Sequence, residues 1–341
     1  MKRVQNMSGS KRNIVTIRDI AAETGLSLNT VSKVLNKKPY YSKATEKRVM
    51  QAVAKLGYVP NSIASSLRAG HSKTVAIVFD DLINPFYSVM TLSIAQSLSQ
   101  SHYDVMMFSN YGVSSFLDSA LFNKIVSRKI DAVASFLEPQ PDLVDTIVAS
   151  KIPFLLVGRT LNDSRIDAIY SDDFDGGRMA TDHLIERGHR KIAYIGAHPA
   201  ISVDANRFSG YKKSLEDHAI AFRSEYVAYF SDYQTFEALA QWLTEIPVDA
   251  VFCFNDSFSY SIIKELHKRG KHVPEDYAWV GYDNIQRALS FPLNLTTVSI
   301  DTDRMSKQTV EVLLKKIKND DSYKEILQHS LPVTLFQGET T

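Results

Sequence analysis

From Thr74 onward, short apolar runs alternate with stretches of helical periodicity, an order that few architectures can satisfy. TVAIVF (74–79), VMMFS (105–109), IDAVASF (130–136), PFLLVGR (153–159) and DAIYS (167–171) read as strands, with helices predicted over 85–100, 115–128 and 141–150. A second series follows: helix 174–187, strand KIAYIGA (191–197), helix 203–218, strand DAVFCF (249–254), helix 257–269 and strand AWVGY (278–282). Alternating elements of this length build parallel sheets with helices on both faces. Two such series predict two Rossmann-like lobes, with ligand groups at the carboxyl ends of strands where the lobes face each other. TTVSID (296–301), a helix near 303–318 and LPVTLFQG (331–338) would return to complete both sheets.

The stretch ahead of this body, TIRDIAAETGLSLNTVSKVLN (16–36), follows other rules. Thr16 and Asp19 have the spacing of a capping box, and Ile17, Ile20, Ala21 and Thr24 fall on one helix face. Gly25 ends that helix because it tolerates a left-handed backbone, and Ser27 can cap the next. In the second helix Val31, Val34 and Leu35 form the buried side, which leaves Leu28, Asn29, Thr30, Ser32, Lys33 and Asn36 outward. Short polar and cationic side chains of this kind reach base edges and phosphates, so the pair reads as a helix-turn-helix offering its second helix to the major groove. An ordinary helical hairpin with a solvated face has the same pattern. A third helix starts at Ser42 or Thr45 and ends at Gly57, and SIASSLRAG (62–70) is too short and too small-sided to bury a core of its own.

Charge separates the two parts. Residues 1–73 hold 14 Lys and Arg against 3 Asp and Glu, an excess of 11; the remainder holds 25 against 35, a deficit of 10. A basic head on an acidic body points to a polyanion-binding module joined to something else. The single cysteine, Cys253, lies inside an apolar run, excludes an intrachain disulfide and suits a reducing compartment. No apolar run approaches the ~20 residues of a membrane span, and Met1–Lys11 lacks the apolar core of a signal peptide. Phosphate-binding glycine loops, nucleophile elbows and zinc-ligand clusters are missing, which speaks against an enzyme and implies no cofactor and no metal. His189 beside Gly188 reads as a turn residue, and Asp172, Asp173 and Asp175 read as capping groups for the helix that follows.

Taken together, these marks resemble the lactose-repressor/galactose-repressor family of bacterial transcription regulators. The resemblance runs from Val15 over the rest of the chain and is carried by the 16–36 stretch, YVPNSIASSLRAGHSKTVAIV, NPFY (84–87), HLIERGHRKIAYIG (183–196), NRFSGY (206–211), FND (254–256) and VGYDN (280–284). It implies a small all-α helix-turn-helix head, a hinge helix, and an α/β two-lobed core like a type I periplasmic binding protein. The corresponding divisions are a flexible basic arm (1–14), the helix-turn-helix domain (15–59), hinge helix and linker (60–73), and an effector-binding and dimerisation core (74–341). Within the core the N-lobe would take about 74–170 plus 299–328, and the C-lobe about 171–298 plus 329–341.

By the same resemblance, Leu28 and Asn29 choose bases, while Thr16, Thr30, Ser32, Lys33 and Asn36 contact phosphates or the groove. Asn61, Leu67 and Arg68 belong to the hinge contacts, with Leu67 wedged into the minor groove. Phe86, Arg159, Arg207, Asn255 and Asp283 match cleft residues that hold an effector. Two positions depart from common family patterns: Gly158 stands where many members carry Asp, and Ser65 replaces a frequent hinge Arg.

The expected function is a cytoplasmic, homodimeric, ligand-responsive regulator that binds pseudopalindromic double-stranded operator DNA. It would repress a carbohydrate-utilisation operon and be released by a sugar or phosphosugar. A corepressor-dependent regulator sensing a nucleobase is the alternative within the class; a solute-binding protein or an α/β enzyme is the alternative outside it.

Asn29 gives the sharpest test of the head. If its amide reads an adenine bidentately, Asn29→Ala costs about 1–3 kcal/mol at that base pair and relaxes its specificity, whereas Lys33→Ala weakens many sequences alike. Fluorescence anisotropy on operator variants measures both, and unchanged base preference in Asn29→Ala would assign the reading to another residue.

Overall fold

The computed structural model describes residues 15–59, 71–80, 82–110, 114, 116–161, 163–287, 293–321 and 325–341. The expected basic arm, the hinge segment 60–70 and, with it, Asn61, Leu67 and Arg68 lie outside the described residues. Met1–Gly70 and His71–Thr341 form separate units.

In the first unit, helices α1 (Ile17–Thr24), α2 (Leu28–Leu35) and α3 (Lys43–Leu56) surround one small core. Ile20, Val31, Val34, Val49 and Ala52 are buried in it, so each helix presents the face that its periodicity assigns. The Thr16 N–H and hydroxyl both donate to the Asp19 carboxylate at 2.7 Å. Gly25 sits at φ +60° and turns the chain between α1 and α2. Ser27 and Ser42 accept from the N–H groups of Thr30 and Thr45, each at 3.1 Å, which satisfies donors that the helix itself leaves open.

The second unit begins with β1 (Thr74–Phe79), α4 (Pro85–Gln100), β2 (Asp104–Ser109), β3 (Phe116–Leu117), α5 (Ser119–Val126) and β4 (Ala132–Ser135). Then come β5 (Glu138–Pro139), α6 (Val144–Ser150), β6 (Phe154–Val157) and β7 (Asp167–Ser171). The next series is α7 (Asp173–Glu186), β8 (Ile192–Gly196), α8 (Ser202–Asp217), β9 (Val227–Tyr229), α9 (Phe236–Glu245), β10 (Ala250–Cys253) and α10 (Asp256–Lys268). It closes with β11 (Ala278–Asp283), β12 (Thr296–Ser299), α11 (Thr302–Ile317), β13 (Gln328–Leu331) and β14 (Thr334–Phe336).

Two sheets result. The first has strand order β13-β7-β6-β4-β1-β2, all parallel, and the second β14-β12-β11-β10-β8-β9, parallel except where β14 runs against β12. Side chains of β1 alternate between two apolar clusters, Val75, Ile77 and Phe79 to one and Ala76 and Val78 to the other. Strands buried on both faces in this way need helices on both sides. Cys253, the last residue of β10, is fully buried, and burial pushes its thiol up to about 12. It is a packing residue.

The segment expected at 331–338 to complete both sheets does so as two strands, the first of which starts earlier, at Gln328. β13 pairs with β7 in the first lobe and β14 with β12 in the second, so the division between lobes falls at 332–333 rather than at 329. Pro332 lies between them and has no N–H for a ladder, which ends one pairing and frees the chain to cross. The pattern of Phe236, Leu239, Ala240 and Leu243 behind the capping Thr235 builds α9, an amphipathic helix that the periodicity carried and the reading above omitted.

The closest helix contact lies between α7 and α8. A Cβ on Gly177 would sit 2.2 Å from the Arg207 carbonyl oxygen, and one on Gly210 would sit 2.1 Å from that of Phe174. Two backbones therefore touch where the start of α7 meets the middle of α8. Neither can retreat without moving a whole helix, so Gly210→Ala is expected to destabilise the core by about 3 kcal/mol or more, against ~1 kcal/mol gained in helix propensity. Urea denaturation measures it, and an increase in stability would show that the helices can separate freely.

Candidate functional site

On the head, the outward face of α2 is open. Leu28 is 46% exposed, Asn29 and Asn36 are exposed, and Thr30, Ser32 and Lys33 are half-buried along the same helix. Some of these groups are engaged with each other: the Thr30 and Ser27 hydroxyls are 2.9 Å apart, and the Asn36 amide donates to the Ser32 carbonyl at 2.7 Å. Thr16, at the start of α1, is exposed as well. The Asn29 and Lys33 side chains form no hydrogen bond or ion pair among the described residues, so both are available to a partner.

In the core, the sheets place a cleft at the carboxyl ends of their strands. The loop after β1 and the start of α4 bring Asn84, Phe86 and Tyr87; β6 ends in Gly158 and Arg159; β10 ends in Phe254 and Asn255; β11 ends in Asp283. Arg207 comes from α8. All five residues expected to hold an effector therefore line one opening of about 390 Å³, counting the part open to solvent.

Arg207 is 4% exposed and held on every side. Its Nε donates to Asp173 at 2.9 Å, Nη1 donates to the Phe254 carbonyl at 2.6 Å, and Nη2 lies 3.6 Å from Asp283 Oδ1. The Tyr282 ring lies flat beneath it, 3.5 Å from guanidinium carbon to centroid. Burial works against its charge, and Asp173, Tyr282 and Asp283 more than offset that, so it stays protonated. Asp173 corrects the reading of it as a capping carboxylate. Asp172 is the cap, accepting from the Asp175 N–H at 3.0 Å, while Asp173 is 2% exposed and turned to Arg207. The two lie 34 residues apart, so nothing local in the sequence signalled the pair.

Asp283 stands on a built turn. It has φ +99° and Asn284 has φ +54°, a left-handed pair that aspartate and asparagine tolerate better than other side chains. Beneath them Asp256 accepts from the Ile285 N–H at 3.0 Å and the Thr297 hydroxyl at 2.8 Å. Gly281 leaves the room, since a Cβ there would lie 2.2 Å from Asp256 Oδ1. Burial, opposed by Arg207 and reinforced by Asp173, pushes the Asp283 carboxyl up to about 7.

The first lobe contributes differently. Arg159 is 6% exposed; Nε donates to the Phe136 carbonyl at 3.0 Å and Nη2 to the Tyr87 hydroxyl at 2.8 Å. Phe86, Tyr87 and Phe136 pack edge to face around it. Asn255 spends its carbonyl oxygen capping α10, accepting from the Phe258 N–H at 2.8 Å, which leaves its NH₂ end for other partners. Two sets of bonds span the lobes. Ser257 donates to Asn84 at 3.2 Å, and Ser202 both donates its N–H to Glu138 at 2.8 Å and accepts from the Thr160 N–H at 3.1 Å. No group of three or more metal-ligating side chains occurs among the described residues.

Residues 16–61 match the family described as bacterial regulatory proteins, lacI family, and 181–341 match the periplasmic binding protein-like domain. The HTH-type transcriptional repressor PurR of Actinobacillus pleuropneumoniae serotype 3 is 28% identical over 313 residues, 90% of this chain and 92% of the relative. A transcriptional regulator CelR–cellobiose complex is 26% identical, with TM-score 0.69 over 96% of this chain and all of the other. A Lac repressor dimer bound to operator and the anti-inducer ONPF, 23% identical, has TM-score 0.80 over 96% of this chain and 98% of the other, a likeness of fold.

The raised carboxyl gives a signed pH test. With its pKa near 7, well above the ordinary ~3.9, folded Asp283 holds a proton that the unfolded chain has lost between about pH 4 and 7. Its contribution to stability therefore falls as pH rises through that window. Asp283→Asn is expected to gain on wild type between about pH 5 and pH 8, as read from urea denaturation at both. An unchanged difference would place the titration elsewhere.

Proposed function

A chain that joins a lacI-family head to a periplasmic-binding-protein-like domain belongs to the lacI family of bacterial regulatory proteins, and from that premise we propose that it represses an operon for using a small carbohydrate. As a family member it is a DNA-binding, ligand-responsive regulator rather than an enzyme. The observation that carries the finer reading is the cleft in which Arg207, Asp283, Asn255 and Arg159 converge beside the Phe86 ring. A carboxylate, guanidinium groups and an amide accept from and donate to vicinal hydroxyls, and an aromatic wall suits the apolar face of a sugar ring. The cellobiose named for a relative 26% identical supports this class of ligand. Relatives named transcriptional repressor PurR support repression as the sense of control, and they favour a nucleobase corepressor as the second reading.

On this proposal Leu28 and Asn29 read bases, Thr16, Thr30, Ser32, Lys33 and Asn36 hold the backbone or groove, and Asn61, Leu67 and Arg68 act at the hinge. The working form is a cytoplasmic homodimer. Leu92 on α4, Leu82 and Ile83 just before it, and Met107 on the edge strand β2 are exposed apolar side chains, and α4 packs against β2. A patch of this kind supports pairing with a second copy. The effector acts by population shift: it favours one lobe arrangement by its differential affinity and so changes the share of protein competent to bind operator.

The test is operator affinity with and without effector. Wild type is expected to show a midpoint shift of about 5–150-fold, and Asp283→Asn to bind operator normally with little or no shift. A variant that still shifts like wild type would remove Asp283 from the site.

A further inference from the structure

The two arginines of the cleft are not equivalent. Arg207 has Asp173 at 2.9 Å and Asp283 at 3.6 Å. Arg159 is buried almost as deeply, yet its hydrogen bonds go to a carbonyl and a tyrosine hydroxyl, both neutral. Among the described residues no carboxylate lies within ion-pairing distance of it, and Nη1 makes no hydrogen bond. Burial opposes its charge, and Tyr87, Glu138 and Asp173 outweigh that, while the Glu138 carboxylate itself accepts from the Ser202 N–H. A guanidinium held only by neutral acceptors can still gain a stronger, charge-assisted hydrogen bond from an anion.

The wall beside Arg159 is formed by a glycine and the Phe86 ring. Gly158 precedes it at φ +66°, and a Cβ there would meet nothing nearer than the Phe86 ring at 3.8 Å. A guanidinium with no ion-pair partner among the described residues thus lies at the first lobe's side of the cleft, opposite Asp283 on the second. We propose that the effector is a small anion, a polyhydroxylated ring or chain bearing a phosphate or carboxylate, with the charged group on Arg159 and hydroxyls between Asp283, Arg207 and Asn255. The inference rests on the cleft's being the effector site. It selects among effectors by charge: a neutral sugar leaves Arg159 unpaired, whereas its phosphate or acid pairs it through a charge-assisted hydrogen bond.

Full-length protein serves for the test, with thermal melting and titration calorimetry as readouts. The probes are inorganic phosphate against chloride at equal ionic strength, and the matched sets glucose, glucose 6-phosphate and gluconate, and ribose and ribose 5-phosphate. Wild type is expected to melt higher with phosphate than with chloride and to prefer the charged member of a set. Arg159→Gln weakens that member on the order of tenfold to a hundredfold, and Arg159→Lys recovers part. Comparison with Arg159→Gln separates the cleft from phosphate bound by the basic head. Gly158→Asp decides the matter if Arg159→Gln does not fold: Asp tolerates this backbone, its Cβ would meet the Phe86 ring without overlap, and it should cancel the preference for anions.

Equal response to charged and neutral probes, a wild type indifferent to phosphate over chloride, or an Arg159→Gln protein that keeps the preference overturns the proposal. If a neutral sugar releases operator and Asp283→Asn abolishes that release, the regulator reading stands and only the anion is wrong. If no cleft substitution alters any ligand's effect on operator, the regulator reading itself falls.

Discussion

A guanidinium sealed from water has to be answered by charge, and the arrangement of the second lobe follows from answering that of Arg207. Asp173 reaches it only because α7 and α8 touch at Gly177 and Gly210, where any side chain would force the helices apart. Asp283 reaches it only because β11 ends in two successive left-handed residues, propped from below by Asp256 and Thr297. Tyr282 supplies a ring face, and the strand end at Phe254 supplies a carbonyl. Removing one of these partners would leave a buried charge uncompensated, a larger penalty than the loss of any single contact. Helix packing, strand termination and ligand chemistry are thus fixed by one side chain.

The first lobe follows a looser rule. Its arginine is bonded to neutral acceptors beside three aromatic rings, and the glycine before it abuts the Phe86 ring. The bonds that cross from lobe to lobe are few: Asn84 to Ser257, and Ser202 to Glu138 and Thr160. Neutral or singly charged hydrogen bonds of this sort are worth roughly 1–3 kcal/mol each, small enough for a bound molecule to exchange them for contacts of its own. A preformed second lobe and an adaptable first one divide the work between recognition and response.

Much of this was legible in the residues. Apolar runs and helical periods placed most strands and helices, and the capping signals at Thr16, Ser27 and Gly25 placed the head. The resemblance picked out Phe86, Arg159, Arg207, Asn255 and Asp283, and the fold brings these five into one opening, while what each binds is a matter for experiment. What stayed hidden was long-range or too short to carry a period. Asp173 looked like a cap because its partner is on another helix, Tyr87 and Glu138 matter only where loops meet, and β9 has three residues. The split of 328–336 into two strands depended on Pro332, whose meaning is plain only once two sheets compete for the same segment.

The chain passes between the lobes three times, at Asp172, at Ile300–Asp301 and at Pro332–Val333. Three tethers permit rotation about a line running near them and resist sliding, so the core behaves as a lever with a fixed fulcrum. Ser171 and Ile300, beside two of those tethers, also line the cleft. A ligand seated there works on a short arm, and a displacement of tenths of an ångström at the fulcrum grows in proportion to distance. Its greatest travel is at the rims of the two sheets, which places the output of the device far from the molecule that drives it.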